Sequence, residues 1–417
     1  MSEKKRRMSG NFIAGLDIGT TRTCAVIGEL VGEPHRQQGL KILGVGQART
    51  AGIRGERITN LEETTESIRT AMKEAELMAG VQVDRLYVGI SGDHIRSWSS
   101  MGVVAVQDQE ITPGDVARVH EVARAVALQP DNEMLHAIPV EYIVDHQRGI
   151  KDPVGMSGTR LEAEVYLVTC SATASGNIKK AVTRAGYGVQ DLVLEPLATA
   201  RGVLTEDEKE VGAAMVEVGG STTDVAVYYE GKIRHVAILP IGGNTVTQDL
   251  VKGLAIPFHE AQKAKEQYGA ASPQFVDPQD MIEVAGTAPG QTRPVARELI
   301  AHIAEQRLDE LFGLIQQELD ANGLSDKLGA GIVLTGGSAA LPGVVELAQQ
   351  VFAAPVRLGV PHEGLSGLAD SVGRPRFSTA VGLALWGVDR FQETGKGVST
   401  LTSGVLSTLS AWIREFF

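Results

Sequence analysis

Cysteine and clustered metal ligands are scarce in this sequence. The 417 residues include two cysteines, Cys24 and Cys170, each within an apolar run of strand-like character. This usage predicts buried, reduced thiols in a cytosolic protein rather than a disulfide framework. The sequence has no grouping of Cys and His with the spacing of metal ligands. A chain of this length is expected to form two or more domains that fold without covalent cross-links.

Concentrated positive charge and long apolar runs are also missing. The formal net charge is −12, and the one basic run, residues 4–7, is predicted to be a solvated tail. Nucleic acid is not expected as a main partner, because its binding requires a concentrated basic surface. The sequence contains no uninterrupted run of about 18 apolar residues, so it predicts no membrane-spanning helix. The N-terminal stretch also lacks the apolar core of a signal peptide.

Two glycine-rich loops of the same pattern stand far apart in the chain. LDIGTT occupies residues 16–21, and VEVGGSTTD occupies residues 216–224. An apolar run enters each loop and another leaves it, which predicts two hairpin turns between strands. The GxxxxGK[ST] sequence of a Walker P-loop is absent, and so is a GxGxxG fingerprint after a strand. The two common glycine-loop nucleotide folds are therefore disfavoured.

The residue types in these loops favour phosphate binding. Glycines let backbone N–H groups approach phosphate oxygens, and hydroxyl side chains add further donors. The predicted nucleotide-binding residues are Asp17, Gly19, Thr20, Thr21, Glu217, Gly219, Gly220, Ser221, Thr222 and Asp224. Asp17 and Glu217 are expected to hold Mg²⁺ through water, because magnesium commonly takes one or two carboxylates together with substrate phosphates. An ordinary glycine hairpin is the alternative for either loop taken alone.

A third glycine-rich loop, GIVLTGGSAALPG, spans residues 331–343. An apolar strand ends at Thr335, and the backbone at Gly336, Gly337 and Ser338 would let a flat base lie against it. This order of two phosphate hairpins and an adenosine loop resembles the actin, Hsp70 and sugar-kinase superfamily over residues 11–390. The resemblance implies an α/β fold with two lobes around a cleft that binds ATP and Mg²⁺.

The same resemblance identifies interdomain helices and ribose contacts. Residues 194–204 and 377–387 carry small side chains that permit close helix crossing at a hinge. Glu260 and Lys263 stand one turn apart on a predicted helix where the superfamily holds the ribose. A surface i,i+3 pair is the alternative for these two residues. Glu217 departs from the superfamily, which generally has Asp there, so slow ATP hydrolysis at most is expected, and no general base is assigned.

An inserted module relates the chain to one family within this superfamily. Residues 90–106 and 135–169 are similar to the special domain of the FtsA family, the bacterial cell-division homologues of actin. Between them lies a helix predicted to begin at Thr112 and Pro113 and to continue through residue 128. The implied organisation is a flexible N-terminus (1–10), subdomain 1A (11–87, 165–204 and 365–390), the inserted subdomain 1C (88–164), subdomain 2A (205–243 and 331–364), a separate small subdomain 2B (244–330), a flexible linker (391–404) and a terminal helix (405–417).

The resemblance also implies partners. The long helical pattern at residues 295–319 closes the region that, in the FtsA family, receives the C-terminal peptide of the tubulin-like protein FtsZ. Arg297 and Arg307 are candidate contacts for that acidic and apolar tail, and a solvated charged face is the alternative. Polymerisation with other copies of the chain and contact of later division proteins with the inserted module are implied in the same way.

The C-terminal segment is amphipathic. A polar stretch rich in Gly, Ser and Thr precedes residues 405–417, which suits a flexible tether. At 100° per residue, the apolar side chains fall within an arc of about 140°; they include Leu406, Leu409, Trp412, Ile413, Phe416 and Phe417. A helix of this length extends only about 20 Å, too short for a bilayer core of about 30 Å. It is expected to lie in the membrane interface, and docking on the protein's own surface is the alternative.

Together these features predict an ATP-binding, polymerising protein that lies peripherally on the cytoplasmic face of the bacterial inner membrane at the division site and tethers FtsZ filaments. A sugar kinase of the same superfamily would need a catalytic Asp and a polar substrate site, and would have no use for the inserted module. The FtsA-like component of type IV pilus assembly is a further alternative. An Hsp70-like chaperone is disfavoured because its long β-rich substrate domain is missing.

Overall fold

The structure, a computed structural model, describes residues 11–32, 39–286 and 292–394 as alternating strands and helices. The strands are β1 (Phe12–Ile18), β2 (Arg22–Val31), β3 (Gly39–Arg49), β4 (Ile53–Arg54), β5 (Arg57–Ile58), β6 (Arg85–Ile90), β7 (Arg96–Ala105), β8 (Asn132–Val144), β9 (Gln147–Ile150), β10 (Arg160–Ser171), β11 (Gly188–Leu194), β12 (Ala213–Val218), β13 (Thr223–Tyr229), β14 (Lys232–Leu239), β15 (Met281–Ala285), β16 (Thr292–Ala296), β17 (Gly331–Thr335), β18 (Val356–Leu358) and β19 (Leu365–Gly367). The helices are α1 (Leu61–Ala79), α2 (Pro113–Arg124), α3 (Ala172–Ala185), α4 (Glu195–Val203), α5 (Glu206–Val211), α6 (Gly243–Leu254), α7 (Phe258–Tyr268), α8 (Arg297–Ala321), α9 (Val344–Phe352), α10 (Ala369–Val372) and α11 (Ser378–Thr394). The predicted α/β class is confirmed.

Two sheets of matching topology form the two lobes. Their strand orders are β11-β6-β1-β2-β3-β19 and β14-β13-β12-β17-β18. Each lobe starts with an antiparallel hairpin, β1–β2 or β12–β13, and adds a third antiparallel strand on one side. Parallel strands follow on the other side. The turns of the two hairpins, which are the two glycine-rich loops, therefore occupy equivalent positions in the two sheets.

Helix α1 illustrates how the first lobe is assembled. Asn60 caps its N-terminus by accepting the backbone N–H groups of the first turn, and Gly80 ends it with φ of 70°. The helix lies directly on β3 at Gly44 and Gly46, where an added Cβ would come within 2.2 Å and 1.9 Å of helix carbonyl oxygens. Glycine is required there because the backbone of the helix takes the place of a side chain.

Helices α4 and α11 cross closely between the lobes, as their small residues predicted. A Cβ at Gly382 would lie 1.8 Å from the carbonyl oxygen of Ala198, and a Cβ at Gly202 would lie 2.8 Å from that of Ser378. Arg201 of α4 also makes a two-pronged ion pair with Asp389 of α11, at 2.7 Å and 2.9 Å. Backbone therefore contacts backbone at this crossing.

The inserted module is an antiparallel sheet of order β7-β10-β8-β9 with α2 packed against it. Thr112 and Asp115 form the capping box that begins α2, which places the helix start as predicted. The helix ends at Arg124 and not at residue 128. Strand β10 pairs with β8 as far as Ser171, so the sheet of this module continues past residue 164, where the sequence placed its end.

The inserted module contacts both lobes. His136 of β8 accepts the backbone N–H of Leu194 in the first lobe through Nε2, at 3.0 Å. On the other side, the hydroxyl of Tyr166 accepts the N–H of Val236 in the second lobe at 2.9 Å. Burial lowers the pKa of His136 to about 3, so the ring stays neutral and can accept this bond near neutral pH.

Helices within residues 243–321 share a buried core with the second sheet. Side chains of α6 and α8, including Leu250 and Phe312, belong to the same buried cluster as Val216 and Val225 of the second sheet. These helices and the second sheet therefore contribute side chains to one buried cluster. Among the residues that the structure describes, no helix is both long and apolar enough to cross a membrane.

Candidate nucleotide cleft

The two glycine-rich turns approach each other across the cleft between the lobes. A Cβ added at Gly220 would lie 2.4 Å from the Oγ1 atom of Thr21 in the opposite turn. The backbone N–H of Gly219 donates to the carbonyl of Thr222 at 3.0 Å, which closes the second turn. Gly220 and Thr21 therefore face each other at short range, and backbone amides and hydroxyls from both lobes line one small space.

Helix α6 supports the second turn. Its first two residues, Gly243 and Asn244, donate their backbone N–H groups to the carbonyl oxygens of Gly219 and Gly220 at 2.9 Å and 2.7 Å. The side chain of Asn244 also donates to the hydroxyl of Ser221 at 3.4 Å. The N-terminal donors of α6 are thus used to fix the shape of the turn.

The third loop lies against the second turn. Gly336 has φ of 88°, and a Cβ there would lie 2.6 Å from the carbonyl oxygen of Val218. The hydroxyl of Ser338 donates to the carbonyl of Gly219 at 3.2 Å. Gly337 has no neighbouring atom within 4 Å of its Cβ position, so its backbone is open on that side. An open glycine backbone beside a glycine-rich turn suits the face of a base.

The predicted ribose pair, Glu260 and Lys263, lies on α7. Lys263 is exposed, and a carboxylate oxygen of Glu260 lies 3.5 Å from Nε2 of His259. Lys265, two residues farther along, donates through Nζ to the carbonyl of Gly243 at 2.7 Å, next to the third loop. Burial lowers the pKa of Lys265 to about 8. Lys265 is therefore the basic side chain of α7 that the fold brings to the cleft.

Carboxylates line the floor of the cleft, and they affect one another. The five carboxylates are those of Asp17, Glu56, Glu195, Glu217 and Asp224. The pKa of each lies above its usual range, and the main cause is burial, which disfavours the charged form. Repulsion from Glu217 raises the pKa of Asp17 and of Asp224 further. This concentration of like charge would be relieved by a bound cation.

Glu217 already has partners for both carboxylate oxygens. Thr199 of α4 donates to Oε2 at 2.6 Å, and Thr379 of α11 donates to Oε1 at 2.5 Å. The extra methylene of Glu, compared with the usual Asp, lets the carboxylate reach the crossing of these helices. Its predicted role as a water-mediated magnesium ligand competes with these two hydroxyls.

Asp224 retains an oxygen without a partner. Ser91 donates to Oδ2 at 2.6 Å, whereas Oδ1 is buried and has no hydrogen-bond donor among the described residues. Such an atom is costly unless it finds a donor such as an ordered water. No three His, Cys, Asp or Glu side chains within the described ranges form a group able to hold a metal alone. A cation here would depend on water and phosphate oxygens.

Two of the cleft carboxylates were missed in the sequence. Glu195 is the first residue of α4, and its side chain occupies space left by Gly89, whose Cβ would lie 2.6 Å from Glu195 Oε1. An acid followed by Pro196 directly after an apolar strand was a usable signal. Glu56 lies at the tip of the β4–β5 hairpin and accepts from Thr20 at 2.5 Å. Its polar surroundings in the sequence carry no such signal.

The two arginines predicted to bind a partner differ in their surroundings. Arg307 pairs with Asp249 at 2.6 Å and with Glu310 at 2.5 Å, and it lines a groove of about 630 Å³ between α6 and α8. Arg297 pairs with Asp280 at 2.5 Å and does not line this groove. The amphipathic segment with Leu406, Leu409, Trp412, Ile413, Phe416 and Phe417 lies outside the described residues.

Comparison with known proteins identifies the family. The family model "Cell division protein FtsA" matches residues 214–382, and the model "SHS2 domain inserted in FTSA" matches residues 92–169. A cell division protein FtsA of Pseudomonas aeruginosa is 42% identical over 98% of this chain and 99% of its own. The FtsA of Neisseria meningitidis is 43% identical over 89% of each chain, and that of Escherichia coli is 36% identical over 97% and 98%.

Solved structures agree with this assignment at the level of the fold. The type IV pilus biogenesis complex PilM–PilN aligns with a TM-score of 0.64 and 16% identity, over 92% of this chain and 99% of the other. The ADP-bound MreB5 of Spiroplasma citri aligns with a TM-score of 0.51 and 12% identity, over 93% and 98%. At such low identity, these alignments show the fold alone, and they confirm the predicted actin-type ATPase fold. By its sequence similarity over almost its whole length, the chain belongs to the FtsA family of cell division proteins.

Proposed function

We propose that the cleft binds ATP and that the chain acts in division as a nucleotide-dependent membrane tether. The observation that carries the nucleotide assignment is the approach of Gly220 to Thr21, which joins two phosphate-type turns from separate lobes. The third loop, at Gly336 to Ser338, supplies an open backbone for the base. The MreB5 structures of the same fold are described as bound to ADP and to AMPPNP, which supports this assignment.

Magnesium fits the charge of this cleft. Asp17 is the first candidate to hold it through water, because it lies at the end of β1, where the first glycine-rich turn begins, among the other cleft carboxylates. Asp224 is the second, since its buried Oδ1 needs a donor of the kind that a magnesium-bound water supplies. Glu217 is the weaker candidate, because the hydroxyls of Thr199 and Thr379 occupy its oxygens. Magnesium would neutralise the phosphates and these carboxylates.

Hydrolysis would be secondary to binding. Glu195 is the carboxylate placed to orient a water, since it opens α4 at the floor of the cleft near Asp17. The pKa of Glu195 is raised by burial and then by repulsion from Asp17. This suits slow turnover, in which the bound nucleotide stabilises the closed lobes and the polymerising surface.

The remaining parts of the chain fit a tether. The groove between α6 and α8, lined by Arg307, would take the acidic and apolar C-terminal peptide of FtsZ. The terminal segment 405–417 would bind the cytoplasmic face of the inner membrane, and polymerisation would multiply this weak attachment. The inserted module, which contacts both lobes, would present a surface to later division proteins and to neighbouring copies.

Nucleotide binding is tested by titrating Mg·ATP into the full chain and a Gly220→Ala variant. The new Cβ meets Thr21, so we expect the affinity to fall by about tenfold or more, equal to about 1.4 kcal/mol. Gly176→Ala is the matched control, because no atom lies within 4 Å of its Cβ position. Equal affinities for all three proteins would contradict the proposed cradle.

The tether is tested by co-sedimentation with vesicles of inner-membrane lipids and FtsZ. The full chain is expected to pellet and to carry FtsZ with it, whereas a chain ending at Gly404 should leave FtsZ in solution. Arg307→Glu should reduce FtsZ capture more than Arg297→Glu, because only Arg307 of these two lines the groove. Soluble behaviour of the full chain would argue against membrane attachment.

A further inference from the structure

A short hairpin outside the two glycine-rich turns reaches into the space between them. This hairpin, β4–β5, carries Glu56 at its tip. Glu56 Oε1 accepts the hydroxyl of Thr20 in the first turn at 2.5 Å and lies 3.5 Å from the hydroxyl of Thr222 in the second. One carboxylate oxygen from a third segment therefore joins the hydroxyl donors of both lobes.

The backbone at this position is unusual. Gly55 and Glu56, the two central residues of the turn, have φ of 52° and 60°. Turns of this kind favour Asn and Gly, and a glutamate seldom adopts the left-handed conformation. A residue held in such a conformation points to a constraint from its surroundings. Here the surroundings are the hydroxyls of Thr20 and Thr222, towards which the carboxylate is directed.

We propose that Glu56 lowers the affinity of the cleft for nucleotide by competing with the terminal phosphate for the hydroxyls of Thr20 and Thr222. This inference rests on the proposed nucleotide binding and identifies Glu56 as a residue that opposes it. A threonine hydroxyl has one hydrogen to donate, so a carboxylate and a phosphate oxygen cannot both receive it. The carboxylate must leave Thr20 when a phosphate takes its place.

Electrostatics acts in the same direction. Glu56 faces Glu217 in the buried part of the cleft, and this repulsion contributes to its raised pKa after the effect of burial. A phosphate would add further negative charge at short range, where screening by water is incomplete. An exposed ion pair joins Arg57 of the hairpin to Asp93 at 2.8 Å, outside the cleft. Such a pair stabilises little, so it would resist displacement of the hairpin only weakly.

The test is a titration of Mg·ATP and Mg·ADP into the full chain carrying Glu56→Gln. Glutamine keeps the length and the acceptor oxygen but removes the charge, so we expect ATP to bind about tenfold tighter or more. Glu56→Ala removes the competing acceptor altogether and should also bind more tightly. Arg57→Gln is the matched control, because it alters the same hairpin without touching Thr20 or Thr222, and its affinity should equal that of the wild type.

Two results would overturn the inference. Unchanged affinity in both Glu56 variants would mean that the carboxylate does not compete, and weaker binding in Glu56→Gln would mean that it assists the phosphate or its cation. If the wild type and Arg57→Gln bind no nucleotide at all, the proposed function fails and this inference fails with it. Normal binding by both, with no change at Glu56, refutes the inference alone.

Discussion

The close crossing of α4 and α11 allows one perturbation to be worked out in detail. In Gly382→Ala the new Cβ would lie 1.8 Å from the carbonyl oxygen of Ala198 and 2.4 Å from its carbon. Ordinary contact begins near 3.4 Å, so the helices must move apart by roughly 1.5 Å. Overpacking of this kind costs about 1–3 kcal/mol, and the obstacle is backbone that cannot rotate away. Because this obstacle is rigid, the upper end of that range, about 3 kcal/mol, applies. The better helix propensity of Ala returns about 1 kcal/mol, which leaves a net loss of about 2 kcal/mol.

Urea unfolding of the full chain measures this loss, with Gly313→Ala as the control. Gly313 lies inside α8 with no atom within 4 Å of its Cβ position, so this second substitution should stabilise by about 0.5–1 kcal/mol. The two Gly-to-Ala changes are thus expected to have opposite signs. A Gly382→Ala protein as stable as the wild type, or more stable, would refute the reasoning. Its ATP affinity should also fall, because Thr199 and Thr379, which hold Glu217, stand on the same two helices.

Three further predictions concern buried polar groups. The pKa of Asp17 is raised in the folded protein, so its ionisation costs stability as the pH rises above about 4, the pKa of Asp in the unfolded chain. Asp17→Asn should therefore melt at a higher temperature than the wild type at pH 8, and the difference should shrink towards pH 5. Thr379→Val removes a donor from Glu217 and should cost about 1–3 kcal/mol by urea unfolding, whereas Thr379→Ser should cost little. Tyr166→Phe leaves the N–H of Val236 without its acceptor and should cost about 1–3 kcal/mol. An unchanged melting curve would contradict this prediction and would mean that water replaces the hydroxyl.

The sequence was most informative where chemistry is local. Hairpin turns, the capping box at Thr112 and the end of the apolar strand at Thr335 depend on residues adjacent in the chain, and the structure has them where the patterns placed them. The small residues at Gly202 and Gly382 predicted a close helix crossing, because little else allows two backbones to touch. The small domain expected over residues 244–330 shares a buried cluster with the second sheet, which periodicity could not show, because it indicates that a helix has an apolar face but not which element covers it.

The make-up of the cleft was decided only by tertiary structure. Lys265 reaches the third loop while Lys263 points to solvent, because two residues along a helix differ by about 200° in direction. Glu56 and Glu195 enter the cleft from segments far from either glycine-rich turn, and Glu217 is drawn to hydroxyls that only the packing of α4 on α11 brings within reach. The sequence by itself determined the family, the two glycine-rich turns and the inserted module, because their signals are contiguous. The placement of the two lobes decides which carboxylates face each other and which already accept hydrogen bonds. No local sequence pattern encodes the distances between residues of different lobes.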